Sequence, residues 1–272
     1  MLREPPPYVT ETAWFWVGTI GMAVGAAVVF LVAKMRTQDE EAHKVVHVVV
    51  TVVAASAYLA MAFGQGGVEL GGRTFWYARY VDWSITTPLL LLGLCMTALH
   101  GAHRRRGLVA AVLGADVLMI VTGLFSGLSQ DPTHRLAWFV VSTGAFLALY
   151  AALFGPLRRE AAARDHERHR SYVRNAAILA ALWGVYPIVV ALGPHGAGVI
   201  SATTETGWIV VVDLVAKVAY GVLVSLDGRT IAQGDLDRDE VTPVMITNHM
   251  VPTNGGRSDA ALAAHGEDGA TS

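Results

Sequence analysis

The chain has 272 residues, of which 53% are hydrophobic and 15% are charged, and its mean hydropathy is +0.45. An average soluble domain carries about 25% charged residues, so this composition indicates a membrane protein. The net charge is −2 and the basic residues are confined to a few short stretches, which argues against a nucleic-acid partner. The single cysteine, Cys95, lies within an apolar segment, so neither a disulfide framework nor a metal site is predicted.

Seven apolar segments follow one another along the chain, each long enough to cross a hydrocarbon core of about 30 Å as a helix. They are much longer than the strands of a membrane barrel, which have about ten residues. The sequence therefore predicts an all-α fold, a seven-transmembrane-helix bundle within residues 1–226, with short connections between antiparallel helices. In the second connection, VELGGRTF predicts a small hairpin that turns at Gly71 and Gly72. The predicted segments are 10–35, 40–64, 77–99, 107–127, 134–154, 172–193 and 204–226.

The orientation in the membrane is predicted from the connections, because cytoplasmic loops are enriched in lysine and arginine. The stretches 34–44, 100–106 and 156–174 hold most of the basic residues, whereas the alternate connections hold only Arg73 and Arg135. This distribution places the N-terminus outside and the C-terminus in the cytoplasm. The N-terminus lacks the features of a cleaved secretory signal, and the polar residues 227–272 are expected to form a disordered cytoplasmic tail.

Several ionisable residues lie inside the apolar segments, where a charge is costly and marks a candidate functional site. Asp213 and Lys217 are four residues apart and share a helix face, and Arg79 and Asp82 form a second charged face that Thr86 continues. Charges on two helices can compensate one another in mid-membrane. A purely structural network is the weaker explanation, because buried ion pairs contribute little stability. The full set is Arg79, Asp82, Asp116, Glu205, Asp213 and Lys217, together with His47.

Three motifs resemble the microbial rhodopsins, and the resemblance extends over residues 10–226. RYVDWSITTPLL at 79–90 is similar to their third helix, WGVYP at 183–187 to their sixth and DLVAK at 213–217 to their seventh. The resemblance implies that Lys217 carries all-trans retinal as a protonated Schiff base, with Asp82 and Asp213 as counterions. It is closest to bacterial light-driven proton pumps of the bacteriorhodopsin and proteorhodopsin type, which implies that Asp82 accepts the proton and that Arg79, on the extracellular side, stabilises both carboxylates.

The same resemblance implies a retinal pocket and two partner groups around it. Tyr58 is expected to hydrogen-bond Asp213, and Asp116 to be a buried, protonated carboxyl near the ring of the chromophore. Phe139 is expected to block a carotenoid antenna, so retinal is the only chromophore predicted, and Leu90 is associated with green absorption. Pro187 is expected to kink a helix that tilts during the photocycle. The predicted pocket residues are Trp83, Thr87, Leu90, Met119, Gly123, Trp138, Ser142, Thr143, Phe146, Trp183, Tyr186 and Pro187.

The chain departs from the family pattern on both sides of the predicted chromophore. The third-helix motif is Asp-Thr-Gly, with Gly93 where related pumps have the carboxylic acid that returns a proton to the Schiff base. On the second helix His47 is predicted to be the substitute proton relay, and His43 remains the alternative. On the release side Glu205 matches one family glutamate, whereas His195 replaces the other.

The function that the sequence predicts is outward proton transport driven by light, and not an enzymatic activity. The first alternative is a sensory photoreceptor with a slow photocycle, which the loss of a donor at Gly93 would suit. Chloride and sodium pumps are disfavoured because Asp82 retains the acceptor, and a retinal-free transporter or receptor is a further alternative. The expected partners are the lipid bilayer, protons and further copies of the chain, as a trimer or pentamer, in the inner membrane of a bacterial cell.

Overall fold

The computed structural model describes residues 7–32, 38–99, 105–163 and 166–226, so the predicted tail at 227–272 lies outside the described residues. Within these ranges the chain forms seven helices that are long and apolar enough to cross a membrane. The predicted all-α fold with seven membrane-spanning helices is thereby confirmed. The helices are α1 (Pro7–Val32), α2 (Gln38–Ala62), α3 (Ala78–Ala98), α4 (Arg106–Leu128), α5 (Pro132–Ala162), α6 (His166–Leu192) and α7 (Ala202–Leu226).

A two-stranded antiparallel hairpin connects α2 to α3, as the sequence predicts. Strand β1 (Val68–Leu70) pairs with β2 (Arg73–Phe75), and the turn residues Gly71 and Gly72 have φ values of 59° and 79°. Two successive positive φ values are what a two-residue hairpin turn of the favoured twist requires, and glycine adopts them without strain. We call this side of the bundle the hairpin end, and the opposite side, where α5 and α6 are joined, the basic end.

The distribution of polar and apolar side chains is that of a protein surrounded by lipid. Large apolar side chains such as Ile20, Leu31 and Leu147 are well exposed on the outer faces of the helices. Charged side chains such as Asp82 and Lys217 are almost completely buried in the interior. A water-soluble helical bundle would show the reverse arrangement, because contiguous exposed apolar surface is limited in soluble monomers. The chain is therefore a multi-pass membrane protein.

Two helices contain a π-helical turn at positions that affect the interior. In α5 the turn Leu153–Leu157 contains Pro156, whose missing N–H interrupts the regular ladder. In α7 the turn Val215–Ala219 contains Lys217, so the lysine projects from a locally widened helix. Turns of this kind are frequent at functional sites.

Glycines on α1 allow its close approach to α2 and α7. A Cβ atom at Gly18 would lie 2.7 Å from the Tyr58 ring, and one at Gly21 would lie 2.6 Å from the Leu214 side chain. Both distances are shorter than a carbon–carbon contact allows. The glycines therefore let α1 press directly on the helices that carry Tyr58 and Asp213.

Candidate functional site

A buried ion triad joins α3 and α7 in the middle of the bundle. The Lys217 ammonium donates to Asp82 Oδ2, and its Nζ also lies 3.3 Å from Asp213 Oδ2. All three residues are at most 2% exposed. A lysine in this position persists in the interior because two carboxylates face it, one from the next turn of its own helix and one from α3. The two charged faces predicted from the sequence are thus in direct contact.

Asp213 is held in place by two phenolic hydroxyls from other helices. The Tyr58 hydroxyl on α2 donates to Asp213 Oδ2 at 2.6 Å, and the Tyr186 hydroxyl on α6 donates to Oδ1. Each carboxylate oxygen therefore accepts from a different helix, which fixes the plane of the carboxylate. The predicted Tyr58 contact is confirmed.

Among the described residues no pair of phenols contacts Asp82, and Thr86 lies one turn further along α3. The Thr86 hydroxyl is completely buried and donates to the Asp82 backbone carbonyl at 2.9 Å. Asp82 is therefore held chiefly by Lys217, whereas Asp213 is held by Lys217 and two tyrosines. If the lysine lost its positive charge, the ionised form of Asp82 would therefore lose more of its stabilisation than the ionised form of Asp213.

A largely apolar cavity of about 500 Å³ is lined in part by Lys217. Small-molecule sites typically have volumes of about 300–1,000 Å³, so the cavity suits a chromophore of the size of retinal attached to the lysine. The rings of Trp83 and Tyr186 meet in the lining with centroids 5.1 Å apart. The lining contains, among others, the predicted residues Trp83, Thr87, Leu90, Met119, Gly123, Ser142, Thr143, Phe146, Trp183, Tyr186 and Pro187.

The prediction that Trp138 lines this pocket is wrong. Trp138 is absent from the cavity lining, is 38% exposed and packs against Phe125 with ring centroids 5.2 Å apart. Phe139 lines the cavity instead. The physical reason is helical periodicity. Phe139 lies three, four and seven residues before Ser142, Thr143 and Phe146, so it shares the face of these lining residues, whereas Trp138 is rotated about 100° away from Phe139.

Asp116 on α4 is completely buried and contacts α3 through one hydroxyl group. Thr87 Oγ1 lies 2.8 Å from both Asp116 Oδ2 and the Trp83 backbone carbonyl. The hydroxyl has a single proton, so it can donate to only one of these oxygens. When Thr87 donates to the Trp83 carbonyl, the contact with Asp116 is a hydrogen bond only if Asp116 is protonated, as the sequence predicts.

Towards the hairpin end, Arg79 on α3 contacts a group of buried polar side chains that includes two carboxyls. Its guanidinium donates to Thr206 Oγ1 at 2.6 Å and to Glu205 Oε1 at 3.4 Å. The Thr206 hydroxyl in turn donates to Glu11 on α1, and Trp76 Nε1 donates to Glu11 Oε2 at 3.1 Å. Arg79 therefore contacts Glu205 directly and Glu11 through Thr206.

Glu11 is the site residue that sequence reasoning missed. Glu11 lies near the start of the first apolar segment, where a carboxylate is expected at the membrane surface. In the structure it is 3% exposed. A carboxylate inside a predicted membrane segment was the available signal. Only the packing of α1 against α7 brings it beside Thr206.

His195 lies in the loop between α6 and α7 and packs against the hairpin. Its ring contacts Phe75 with centroids 5.6 Å apart, and Arg135 donates to its backbone carbonyl at 3.0 Å. Burial lowers the pKa of His195, which favours its neutral form. Both His195 and Glu205 line the cavity, but among the described residues no hydrogen bond joins them. The predicted release pair is therefore not in direct contact.

Towards the basic end, His47 on α2 packs against α7. Its imidazole is 1% exposed and meets the Tyr220 ring edge-on at 5.8 Å, and a Cβ atom at Gly221 would lie 3.3 Å from its Nδ1. Gly221 is one helical turn beyond Lys217. The imidazole therefore contacts α7 about one turn from the position of Lys217. The half-buried His43 lies one turn of α2 nearer the basic end.

The position of the missing carboxylic acid is open space. A Cβ atom added at Gly93 would meet nothing within 4 Å. The interior beside α3 therefore contains room that a side chain at this position would fill, and the role predicted for His47 stays a prediction.

Comparison with known proteins gives the class that this fold and site define. Residues 9–229 match the family model described as bacteriorhodopsin-like protein. The chain is 38% identical to the bacteriorhodopsin of Haloterrigena sp. (strain arg-4) over 84% of its length and 93% of that protein, and 40% identical to archaerhodopsin-2 of Halobacterium sp. (strain aus-2) over 78% and 82%. The chain belongs to the bacteriorhodopsin-like family of microbial rhodopsins, which are retinal proteins.

Solved structures agree with this assignment. The thermophilic rhodopsin from Rubrobacter xylanophilus is 37% identical, with a TM-score of 0.76 over 80% of this chain and 95% of that one. The rhodopsin of Coccomyxa subellipsoidea, a light-driven proton pump, is 33% identical, with a TM-score of 0.74 over 80% and 96%. The predicted membership of the microbial rhodopsins is confirmed, and the relatives include proton pumps.

Proposed function

We propose that the chain is a light-driven pump that exports protons, with all-trans retinal bound covalently to Lys217. The observation that carries the proposal is the buried Lys217 ammonium, which lies between Asp82 and Asp213 and lines a largely apolar cavity. When bound, retinal supplies light absorption through a protonated Schiff base on Lys217, together with a change of shape and of proton affinity at the lysine nitrogen. All remaining steps belong to side chains of the chain itself.

Asp82 is the proposed acceptor of the proton that leaves the Lys217 nitrogen. Asp82 Oδ2 and Asp213 Oδ2 both lie close to Lys217 Nζ. Asp213 is also stabilised in its ionised form by two phenol donors. The proton therefore moves to the carboxylate with fewer competing donors. This asymmetry directs the transfer from Lys217 to Asp82.

Arg79 is proposed to transmit the neutralisation of Asp82 towards the hairpin end. The guanidinium lies on the next turn of α3, about 4.5 Å along the axis, and already contacts Glu205. Once Asp82 is neutral, the attraction of Arg79 to the triad falls and its attraction to the Glu11–Glu205 group dominates. Release of a proton from this group replaces the predicted role of His195, which lies against the hairpin.

His47 is proposed to return a proton to the Lys217 nitrogen from the basic end. Its imidazole is buried within one helical turn of the lysine, on the side opposite Asp82, and an imidazole exchanges protons near neutral pH. The open space at Gly93 supports the view that α3 supplies no donor there. Outward transport follows if the basic end faces the cytoplasm, as the distribution of arginines predicts.

A suspension of intact cells expressing the chain with retinal tests the pump directly. Illumination should acidify the medium, a protonophore should abolish the signal, and Asp82→Asn should give pigment without acidification. A bleachable pigment without any light-driven pH change would contradict the pump and favour a sensory photoreceptor. We place the chain in the cell membrane of a bacterium as a homo-oligomer, a trimer or pentamer, without a carotenoid antenna, which native mass spectrometry and pigment extraction would test.

A further inference from the structure

Helices α5 and α6 exchange two hydrogen bonds in the half of the bundle that lies towards the basic end. The Tyr150 hydroxyl on α5 donates to the backbone carbonyl of Ala180 on α6. The Tyr172 hydroxyl on α6 donates to the backbone carbonyl of Leu153 on α5 at 2.7 Å. Each helix thus contributes one phenol and one carbonyl, and neither tyrosine belongs to the triad or to the cavity lining.

One acceptor carbonyl lies at an irregular turn of its helix, and the other lies one turn before a glycine. Leu153 begins the π-helical turn of α5 that contains Pro156. Ala180 lies one turn before Gly184, where a Cβ atom would lie 3.6 Å from the Tyr150 hydroxyl, and Pro187 follows three residues later. The Tyr150 phenol therefore lies beside the stretch of α6 that leads to Pro187.

The two bonds also adjoin the wall of the cavity. The Tyr150 ring packs against Phe146, with centroids 4.3 Å apart, and Phe146 lines the cavity. On α6, Trp183 and Tyr186 line the cavity within two turns of Ala180. A change in the shape of the occupant of the cavity is therefore transmitted to the helices that these tyrosines join.

We propose that Tyr150 and Tyr172 form a reciprocal clasp that holds the arm of α6 between His166 and Pro187 against α5, and that this clasp sets how fast the arm moves after illumination. Pro187 interrupts the helical ladder and supplies the pivot. Tyr172 lies fifteen residues from Pro187, about 22 Å along the helix. A rotation of about 10° at the pivot moves it by about 4 Å, which is enough to break its bond to Leu153, whereas Ala180 moves about half as far.

If the clasp sets the rate of arm movement, removing either hydroxyl should change that rate and leave the dark pigment unchanged. One net hydrogen bond corresponds to about a two- to tenfold change in rate, so Tyr172→Phe and Tyr150→Phe should each accelerate the arm movement by about that factor, and the double variant by more. The dark absorption spectrum should stay unchanged, because neither hydroxyl contacts the triad. Tyr77→Phe, which alters an exposed tyrosine at the hairpin end, is the matched control.

The experiment measures how fast α5 and α6 separate after a flash of light. Spin labels on exposed Arg159 and Glu167, in a Cys95→Ser background that forms pigment, report the distance between α5 and α6 after a flash. Faster separation in the clasp variants than in Tyr77→Phe supports the proposal. Equal rates in Tyr150→Phe, Tyr172→Phe and the control would overturn it, and Tyr150→Phe decides alone if Tyr172→Phe yields no pigment.

The clasp rests on the proposed light-driven function, but the two fail separately. A chain that exports protons while the clasp variants leave the arm movement unchanged keeps the pump and loses the clasp. A chain that exports no protons, but in which the variants accelerate the flash-induced separation, keeps the clasp and loses the pump.

Discussion

The sharpest test of the proposed cycle moves the proton donor from α2 back to α3. His47→Ala removes the imidazole, and Gly93→Asp adds a carboxyl at a position where a Cβ atom meets nothing within 4 Å. Loss of a positioned general acid slows proton transfer by about 10²–10⁴-fold, so return of the proton to the Lys217 nitrogen should slow by that factor in His47→Ala. The dark pigment should form normally, because His47 does not contact the triad.

The double variant His47→Ala, Gly93→Asp should recover much of the lost rate. The added side chain enters open space and meets no steric clash, so the fold should tolerate the change. Flash spectroscopy of the deprotonated intermediate measures the decay in the wild type, both single variants and the double variant. An unchanged decay in His47→Ala would refute the assignment of His47. His43→Ala tests the alternative relay one turn away and should leave the decay unchanged if His47 is the donor.

Three further outcomes follow from the structure. Gly18→Ala places a methyl group 2.7 Å from a buried phenol ring and should cost about 1–3 kcal/mol of stability, measured by thermal bleaching, whereas Gly144→Ala, where a Cβ atom meets nothing within 4 Å, should be nearly neutral. Phe139→Ala should shift the absorption maximum and weaken retinal binding, and an equal effect from Trp138→Ala would contradict the assignment of the cavity wall. Asp131 caps α5, and hydrogen bonding by the backbone N–H of His134 lowers its pKa, so the cap should stabilise the protein above about pH 4 and lose this effect as the pH falls further; Asp131→Ala should therefore bleach at a lower temperature than the wild type at pH 7 but not at strongly acidic pH.

The ion triad could be predicted from helical spacing together with the cost of a charge in lipid. Asp213 and Lys217 share a helix face by their spacing, and lipid leaves no inexpensive place for a charge except opposite another charge, here Asp82. The hairpin was predictable for a similar local reason, since the two glycines at its turn supply the positive φ values that the turn requires.

Two features of the site could not be predicted from local spacing. They are the face of α5 that lines the cavity and the carboxyl that lies near Glu205. Trp138 and Phe139 are adjacent aromatic residues, and only the rotation of α5 within the bundle decides which of them faces the cavity. Glu11 is nearly 200 residues away from Thr206 in the sequence, and their contact exists because α1 packs against α7. No local pattern encodes a contact of this range.

The sequence by itself determined the number of membrane helices, the family and the lysine with its two carboxylates, because hydropathy and helical spacing are local properties. Tertiary structure alone decided that Tyr186 also holds Asp213, that Glu11 accompanies Glu205 beyond Arg79, and that two tyrosines join α5 to α6. These contacts depend on the rotation and approach of whole helices. Packing against several neighbours sets both quantities, and so they cannot be read from any single segment.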